Sequence, residues 1–186
     1  MKLRSILEWD ARLSYQMRVA EKPGALRAIS VIFAHSGDSW FWALGLVAVW
    51  IGGNSFWKEW AVVQFVGISL LAALVMSIKF LVKRRRPEGE WGGIYRNTDP
   101  HSFPSGHAAR AFMIAVVASG LGPTWLGILL WIWAPLVSIA RVAMGVHYVS
   151  DVLAGALLGI IIALIGLRIY EPLLMWVSNV IGFPLW

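Results

Sequence analysis

The chain contains 186 residues, 59% of them hydrophobic and 13% aromatic, and carries a formal net charge of +6. This composition is far more apolar than a soluble domain of the same length requires, so it indicates membrane residence and argues against a soluble protein. The basic residues flank apolar stretches, which favours a topological role over nucleic-acid binding, and the absence of cysteine excludes disulfides and thiolate metal sites.

The first 51 residues contain one mixed and two apolar segments. Residues 1–22 alternate apolar and charged side chains at helical spacing, which predicts an amphipathic helix lying at the membrane interface. Residues 25–34 and 40–51 are apolar but short, so we expect one broken span, or an interfacial helix followed by a span. Asp38, between these two segments, is interpreted as a cap of the following helix.

Longer apolar segments follow. Residues 61–78 run directly into a basic cluster at 79–86, as a membrane-spanning helix does. Residues 87–104 are polar and rich in glycine and proline, which predicts a loop over the end of the bundle. Three more spans are predicted at 108–121, 125–144 and 148–167, and the tail, with Pro172, Trp176 and Trp186, is interpreted as an interfacial end piece. The sequence therefore predicts an all-α integral membrane bundle of about five or six transmembrane helices, forming a single domain over residues 1–186.

Alternation of the spans predicts that the polar clusters share one membrane face. The second span ends at the basic cluster and the third begins near His107, while the fourth ends near Arg141 and the fifth begins near His147. Ionisable residues at span ends that face the bundle interior are candidates for function. The competing interpretation is that the lysines and arginines only anchor the helices or snorkel to the interface.

Two of these clusters have a pattern that suits chemistry on an anion. Residues 104–107 (PSGH) open a helix, whose free N–H groups and dipole favour an anion, although an ordinary cap has the same pattern. His147 and Asp151 stand four residues apart, a spacing that places both on one helical face. The carboxylate can then orient the imidazole and support its positive charge, and a structural His–Asp pair is the alternative.

In this order, the clusters resemble the three motifs of the type 2 phosphatidic acid phosphatase (PAP2) family, in its membrane lipid phosphatase branch. The first motif, Lys-x6-Arg-Pro, is present at 79–87, and the second, Pro-Ser-Gly-His, at 104–107. The third, Ser-Arg-x5-His-x3-Asp, is present at 140–151, with Ala140 where the family usually has serine. This change removes a hydroxyl but no charged group, so we expect it to modulate activity rather than abolish it.

The resemblance implies a phosphatase that forms a phosphohistidine and needs no metal or other cofactor. It implies His147 as the nucleophile, Asp151 as the group that orients it, and His107 as the acid and then the base. It also implies a set of groups that bind the phosphate: Lys79, Arg86, Ser105, Gly106 and Arg141. Residues outside the motifs are interpreted differently, with Lys83, Arg84 and Arg85 as headgroup-binding or topology residues and His101 as a loop histidine.

The positive-inside rule predicts the face of the site. Fourteen of the sixteen lysines and arginines fall on the predicted active-site side, which favours a cytoplasmic site in the plasma membrane. The expected partners are the bilayer and a lipid phosphate, and neither a nucleic acid nor a particular oligomeric state is predicted. Phosphatidate, phosphatidylglycerophosphate and polyprenyl phosphate or diphosphate stay open as substrates, because the motifs read only phosphate.

Alternatives from other functional classes also stay open. One is an undecaprenyl diphosphate phosphatase that recycles the cell-wall lipid carrier, and another is a non-catalytic homologue that binds or transports a lipid phosphate. The second of these would be expected to have lost His107 or His147, and both are present. A vanadate-dependent haloperoxidase would use a similar anion site, but such enzymes are usually soluble and this chain is strongly apolar.

Overall fold

The computed structural model describes residues 3–89, 91 and 99–181, and in this part of the chain the regular structure is helical. An isolated bridge pairs Arg85 with His101 in the connection between the fourth and fifth helices. The helices, in chain order, are α1 Leu3–Gln16, α2 Ala25–Ser36, α3 Ser39–Gly52, α4 Ser55–Val82, α5 Gly106–Leu121, α6 Thr124–Ala143 and α7 Val149–Ile181.

Among the helices of the described residues, three are long and apolar enough to cross a bilayer: α4, α6 and the part of α7 from Val149 to Pro172. The helices α2, α3 and α5 are apolar but shorter. Many large apolar side chains on the spanning helices are exposed, as expected where lipid rather than protein surrounds a helix. The predicted all-α membrane bundle is confirmed.

The apolar segment before α4 is broken at Gly37 and Asp38. Between α2 and α3 the chain passes close to α5 and α6, so that a Cβ added at Gly37 would lie 3.0 Å from Val137 Cγ1 and 3.3 Å from His107 Cδ2. The carbonyl of Gly37 also accepts a hydrogen bond from the guanidinium of Arg110. The break therefore places a backbone carbonyl and a carboxylate beside α5, in a part of the bundle where the packing is otherwise apolar.

Helix α5 forms the centre of the bundle. Its residues 108–111 and 113–118 are buried, and it packs against α4, α6 and α7. Gly155 and Gly159, four residues apart on α7, lie so close to α5 that an added Cβ would overlap the carbonyl oxygens of Ser105 and Ala109. Small residues at this spacing let two helix backbones approach closely in a membrane.

The last helix is longer than the sequence predicts. Helix α7 continues beyond residue 167, where the predicted span ends, through Pro172 to Ile181. The interfacial position predicted for this tail stays a prediction. A proline removes one backbone hydrogen bond, yet a helix is the arrangement that satisfies the remaining backbone groups in an apolar environment, so the helix persists. Trp186 lies outside the described residues.

Candidate active site

The predicted site residues come together at one end of the bundle. Lys79 lies in the last turn of α4, Arg141 in the last turn of α6, and Asp151 in the first turn of α7. Residues 105–107 form the start of α5, and His147 lies in the short connection that precedes α7. The eight predicted site residues contribute to one polar layer: Lys79, Arg86, Ser105, Gly106, His107, Arg141, His147 and Asp151, with His107 also beside Asp38.

His147 is held with one ring nitrogen facing a cation. Its Nε2 lies 3.2 Å from Arg86 Nη1, and the carbonyl of Val146 accepts from the same guanidinium nitrogen at 3.0 Å. Because a guanidinium can only donate, Nε2 must be the acceptor and the ring proton of neutral His147 lies on Nδ1. Nδ1 is 3.5 Å from Asp151 Oδ2. His147 precedes α7 rather than sharing a helical face with Asp151, and the first turn of α7 brings the carboxylate to it.

The surroundings of His147 keep its imidazole neutral. Burial lowers the pKa of His147 well below its ordinary value, and the positive charges of Arg86, Arg141 and Lys79 lower it further. A neutral imidazole with its Nε2 lone pair directed at cationic groups is suited to attack an anionic phosphorus centre, because the same cations bind the anion.

The second and third motifs are joined through the backbone. Ser105 donates its N–H to the carbonyl of Asp151 at 2.9 Å, and the N–H of Tyr148 donates to Asp151 Oδ2 at 2.9 Å. The Ser105 hydroxyl accepts from the N–H of Ala108 at 3.5 Å, so it caps α5 and keeps its own proton available for donation. These bonds fix the start of α5 against the start of α7.

A carboxylate of the chain occupies the cation cluster. Asp99 Oδ2 accepts from both Lys79 Nζ and Arg86 Nη2, the latter at 2.7 Å, while the Asp99 carbonyl accepts from Arg86 Nε at 2.7 Å. Asp99 thus shows where two cations can bind the oxygens of an anion. Arg141 is buried close enough to interact electrostatically with both histidines, and Ala140 beside it packs in an apolar cluster.

The second histidine has an acidic partner that the sequence interpretation missed. Asp38 occupies the N-cap position of α3, but its side chain makes no cap hydrogen bond. Instead, Oδ1 lies 2.7 Å from His107 Nε2 and Oδ2 lies 2.9 Å from His35 Nδ1. The interpretation of Asp38 as a cap is therefore wrong, because the break at Gly37 turns the carboxylate towards α5. The sequence did contain a signal for this role: Asp38 is an acidic residue within an apolar stretch, where an unpaired charge is costly and a partner is therefore expected.

Arg84 also differs from its sequence interpretation. Lys83 adopts a left-handed conformation (φ 52°) at the end of α4, after which Lys83 and Arg85 are exposed while Arg84 turns inward. The guanidinium of Arg84 binds Asp10 and Asp151, so it is part of the buried network rather than a free headgroup ligand. His101 lies in the loop, with its ring edge-on to Phe80 at 5.9 Å between centroids.

A cavity of about 290 Å³ opens beside the polar layer. One end is lined by polar groups that include Lys79, Asp99 and His107, together with Gly106. The other end is apolar, lined by side chains of α4 that include Leu71 and Met76. A cavity with these two ends matches a molecule that carries a charged group on an apolar chain.

The chain is similar to proteins of one family. The model of the PAP2 superfamily matches residues 60–174, more than half of the chain. A lipid A 1-phosphatase of Porphyromonas gingivalis is 29% identical over 133 residues, which make up 70% of this chain and 26% of that protein. A probable lipid phosphate phosphatase beta of Arabidopsis thaliana is 29% identical over 192 residues, covering 88% of this chain and 89% of that protein. The match therefore spans about a quarter of the first relative and most of the second.

The fold is also shared with a solved structure. A transmembrane PAP2-type phosphatidylglycerolphosphate phosphatase from Bacillus subtilis superposes with a TM-score of 0.74 at 24% sequence identity. The superposition covers 90% of this chain and 87% of that chain. The superposed part of the chain is therefore longer than the part matched by the family model.

Proposed function

We propose, on the premise that this chain belongs to the PAP2 superfamily, that it is an integral membrane enzyme that hydrolyses a phosphate ester or diphosphate of a lipid through His147. The observation that carries the proposal is the contact between His147 Nε2 and Arg86 Nη1. It leaves a lone pair of a neutral, buried imidazole beside the cations Lys79, Arg86 and Arg141, which would hold the phosphate.

In the first half-reaction, the substrate phosphate takes the place of the Asp99 carboxylate on Lys79 and Arg86. Arg86 turns from His147 Nε2 to a phosphate oxygen, which frees the Nε2 lone pair. Nε2 then attacks phosphorus, an N–P bond forms and the bond from phosphorus to the lipid oxygen breaks. The electron pair leaves with that oxygen, which takes a proton from His107. The Nδ1 proton of His147 stays on the ring beside Asp151, whose negative charge stabilises the cationic phosphohistidine.

In the second half-reaction, His107 removes a proton from water as the water oxygen attacks phosphorus. The N–P bond breaks, its electrons return to His147 Nε2, and inorganic phosphate leaves. Because a carboxylate only accepts, the Nε2–H group of His107 donates a hydrogen bond to Asp38 and keeps its proton. Nδ1 is then the nitrogen that exchanges protons with substrate and water.

The cavity supports a lipid as the substrate class. Its polar end would receive the phosphate, and its apolar end along α4 would receive the first carbons of an acyl or prenyl chain. The test is release of phosphate by the purified protein in micelles with EDTA, from phosphatidate, phosphatidylglycerophosphate, lipid A, undecaprenyl phosphate and undecaprenyl diphosphate. A soluble aryl phosphate and protein-free micelles serve as controls. Hydrolysis of none of the lipids, or of the soluble ester alone, would refute the proposal.

Replacing Asp38 with asparagine is expected to lower kcat by about tenfold to a hundredfold with little change in KM. Asparagine keeps the size of the side chain but removes the charge that favours a protonated His107 ring, and the carboxylate of Asp38 bonds to His107 and His35. Steady-state kinetics on the preferred lipid measures the split. A rise in KM at unchanged kcat would show that Asp38 acts on binding instead.

We further propose that the site lies on the cytoplasmic side of the plasma membrane, because the alternation of spans predicted from the sequence assigns fourteen of the sixteen lysines and arginines to the side of the site. The absence of cysteine makes this directly testable with single-cysteine variants. Glu88→Cys places a thiol in the loop at the site end, and Ser55→Cys places one at the opposite end, both at exposed positions.

An impermeant maleimide applied to intact cells is expected to label Ser55→Cys, and to label Glu88→Cys only after the membrane is opened. The cysteine-free parent protein is the blank in both conditions. The reverse pattern would place the site on the outer face, where recycling of an undecaprenyl carrier would become the favoured function.

A further inference from the structure

The first helix packs on the helix that carries Asp151. Asp10 and Ser14, four residues apart on α1, are buried, whereas Ile6, Leu7 and Trp9 on the same helix are exposed. An interfacial helix that only floated on lipid would direct its polar residues towards water. Asp10 and Ser14 are instead directed into the protein, while other polar side chains of α1, such as Arg12, remain exposed.

Asp10 and Ser14 satisfy the N-terminus of α7. Ser14 Oγ accepts from the N–H of Val149 at 2.9 Å, and Asp10 Oδ1 accepts from the N–H of Ser150 at 3.0 Å. The first N–H groups of a helix have no partner within it, and residues just before the helix usually supply one. Here a different helix, 135 and 140 residues away in the chain, supplies both partners.

Asp10 is also connected to Asp151 through one guanidinium. Arg84 donates from Nη2 to Asp10 Oδ2 at 2.7 Å and from Nη1 to Asp151 Oδ1 at 2.7 Å, and it stacks on the ring of Tyr148 at 4.0 Å. The planar fork of arginine can bind two carboxylates at once in a fixed geometry. Since both carboxylates are buried and share this one guanidinium, removing Arg84 leaves two buried negative charges poorly compensated.

We propose that α1 is a positioning element of the active site, in which Asp10 and Ser14 fix the start of α7 and, through Arg84, the carboxylate of Asp151. The inference rests on the proposed function in one respect, namely that Asp151 orients His147. None of the three residues binds phosphate. They act through Asp151, whose Oδ1 is held by Arg84 while Oδ2 stays beside His147.

Asp10→Asn is the main test, because it keeps the size of the side chain and removes its charge. We expect kcat to fall about tenfold to a hundredfold with KM nearly unchanged, the size expected for one hydrogen bond to a charged group. Arg12→Gln, which changes a charge at an exposed position of the same helix, is the matched control and should leave both constants unchanged.

Two further comparisons separate positioning from general loss of structure. In a double-mutant cycle, Asp10→Asn combined with Asp151→Asn is expected to be no slower than Asp151→Asn alone, because both changes act on one carboxylate. Ser14→Ala should lower kcat, and Ser14→Thr, which keeps the hydroxyl that accepts from Val149, should restore it. Full additivity in the cycle, or wild-type kcat in both Asp10→Asn and Ser14→Ala, would overturn the proposal.

Hydrogen exchange gives a readout that does not depend on catalysis. We expect the amides of Val149 and Ser150 to exchange faster in Asp10→Asn and Ser14→Ala than in the parent protein, and to be unchanged in Arg12→Gln. If the parent protein hydrolyses no lipid phosphate, the proposed function fails, while faster exchange in these variants still supports the positioning of α7 by α1. If the parent is active and exchange does not change, the positioning fails and the proposed function stands.

Discussion

Replacing His147 with alanine is expected to lower kcat for hydrolysis of the preferred lipid phosphate by about 10⁴-fold or more, because it removes the atom that forms the bond to phosphorus. The imidazole is buried, and its Nε2 contacts Arg86 in the polar layer. Substrate binding should change much less, since the cations that hold the phosphate remain. Steady-state kinetics and binding of a non-hydrolysable phosphonate lipid measure the two effects separately.

The covalent intermediate gives a second test of the same residue. When the parent protein is mixed with ³²P-labelled lipid phosphate and quenched in alkali, label should remain on the protein and map to His147. His101→Ala, which removes a loop histidine outside the polar layer, is the control and should be labelled normally. Label on another residue, or retention of activity in His147→Ala, would contradict the assignment of the nucleophile.

Replacing Arg86 with glutamine is expected to lower kcat/KM by about 10²- to 10³-fold, the cost of removing one donor that stabilises transition-state charge. Arg86 bonds to Asp99, to the Val146 carbonyl and to His147, so it joins the anion position to the nucleophile. Arg85→Gln is the matched control, because it removes the same charge from the neighbouring residue, whose side chain is exposed. Equal losses in both variants would indicate a general effect of the basic cluster.

The same variant should change the pH dependence in a defined direction. In the parent protein, burial and neighbouring cations lower the pKa of His147, so the nucleophile stays neutral to lower pH than an ordinary imidazole does. Removing the charge of Arg86 raises that pKa towards its ordinary value, and protonation then disables the nucleophile at a higher pH. The acid limb of kcat/KM should therefore move to higher pH in Arg86→Gln and stay in place in Arg85→Gln.

The polar layer was largely predictable because it follows from topology. Spans that alternate in direction bring the end of α4, the start of α5, the end of α6 and the start of α7 to one side, and the motif residues occupy those ends. The helix at the start of the chain was also predicted, although it ends at Gln16 rather than at residue 22. Such predictions need only hydrophobic length, charge and the residues that start and stop helices.

The supporting residues could not be predicted in the same way. Asp38 contacts His107 across 69 positions of sequence, and Asp10 contacts Arg84 across 74. Neither pair belongs to a periodic pattern, so sequence alone offers each residue a local role, as a cap, an interfacial group or a topology signal. Their actual roles depend on two local features of the backbone. The break between α2 and α3 turns the Asp38 side chain towards α5, and the left-handed residue at the end of α4 turns the Arg84 side chain inward.

The close contact of α5 and α7 at Gly155 and Gly159 bears on how such a site could be built elsewhere. Because these glycines have no side chain, α7 lies close enough to α5 for the N–H of Ser105 to donate a hydrogen bond to the carbonyl of Asp151. Grafting the histidines, the cations and the carboxylate onto another helix bundle would therefore supply the side chains without the close helix contact that aligns them. A designer would first have to reproduce the two glycines that allow this helix contact, and only then place the reactive groups.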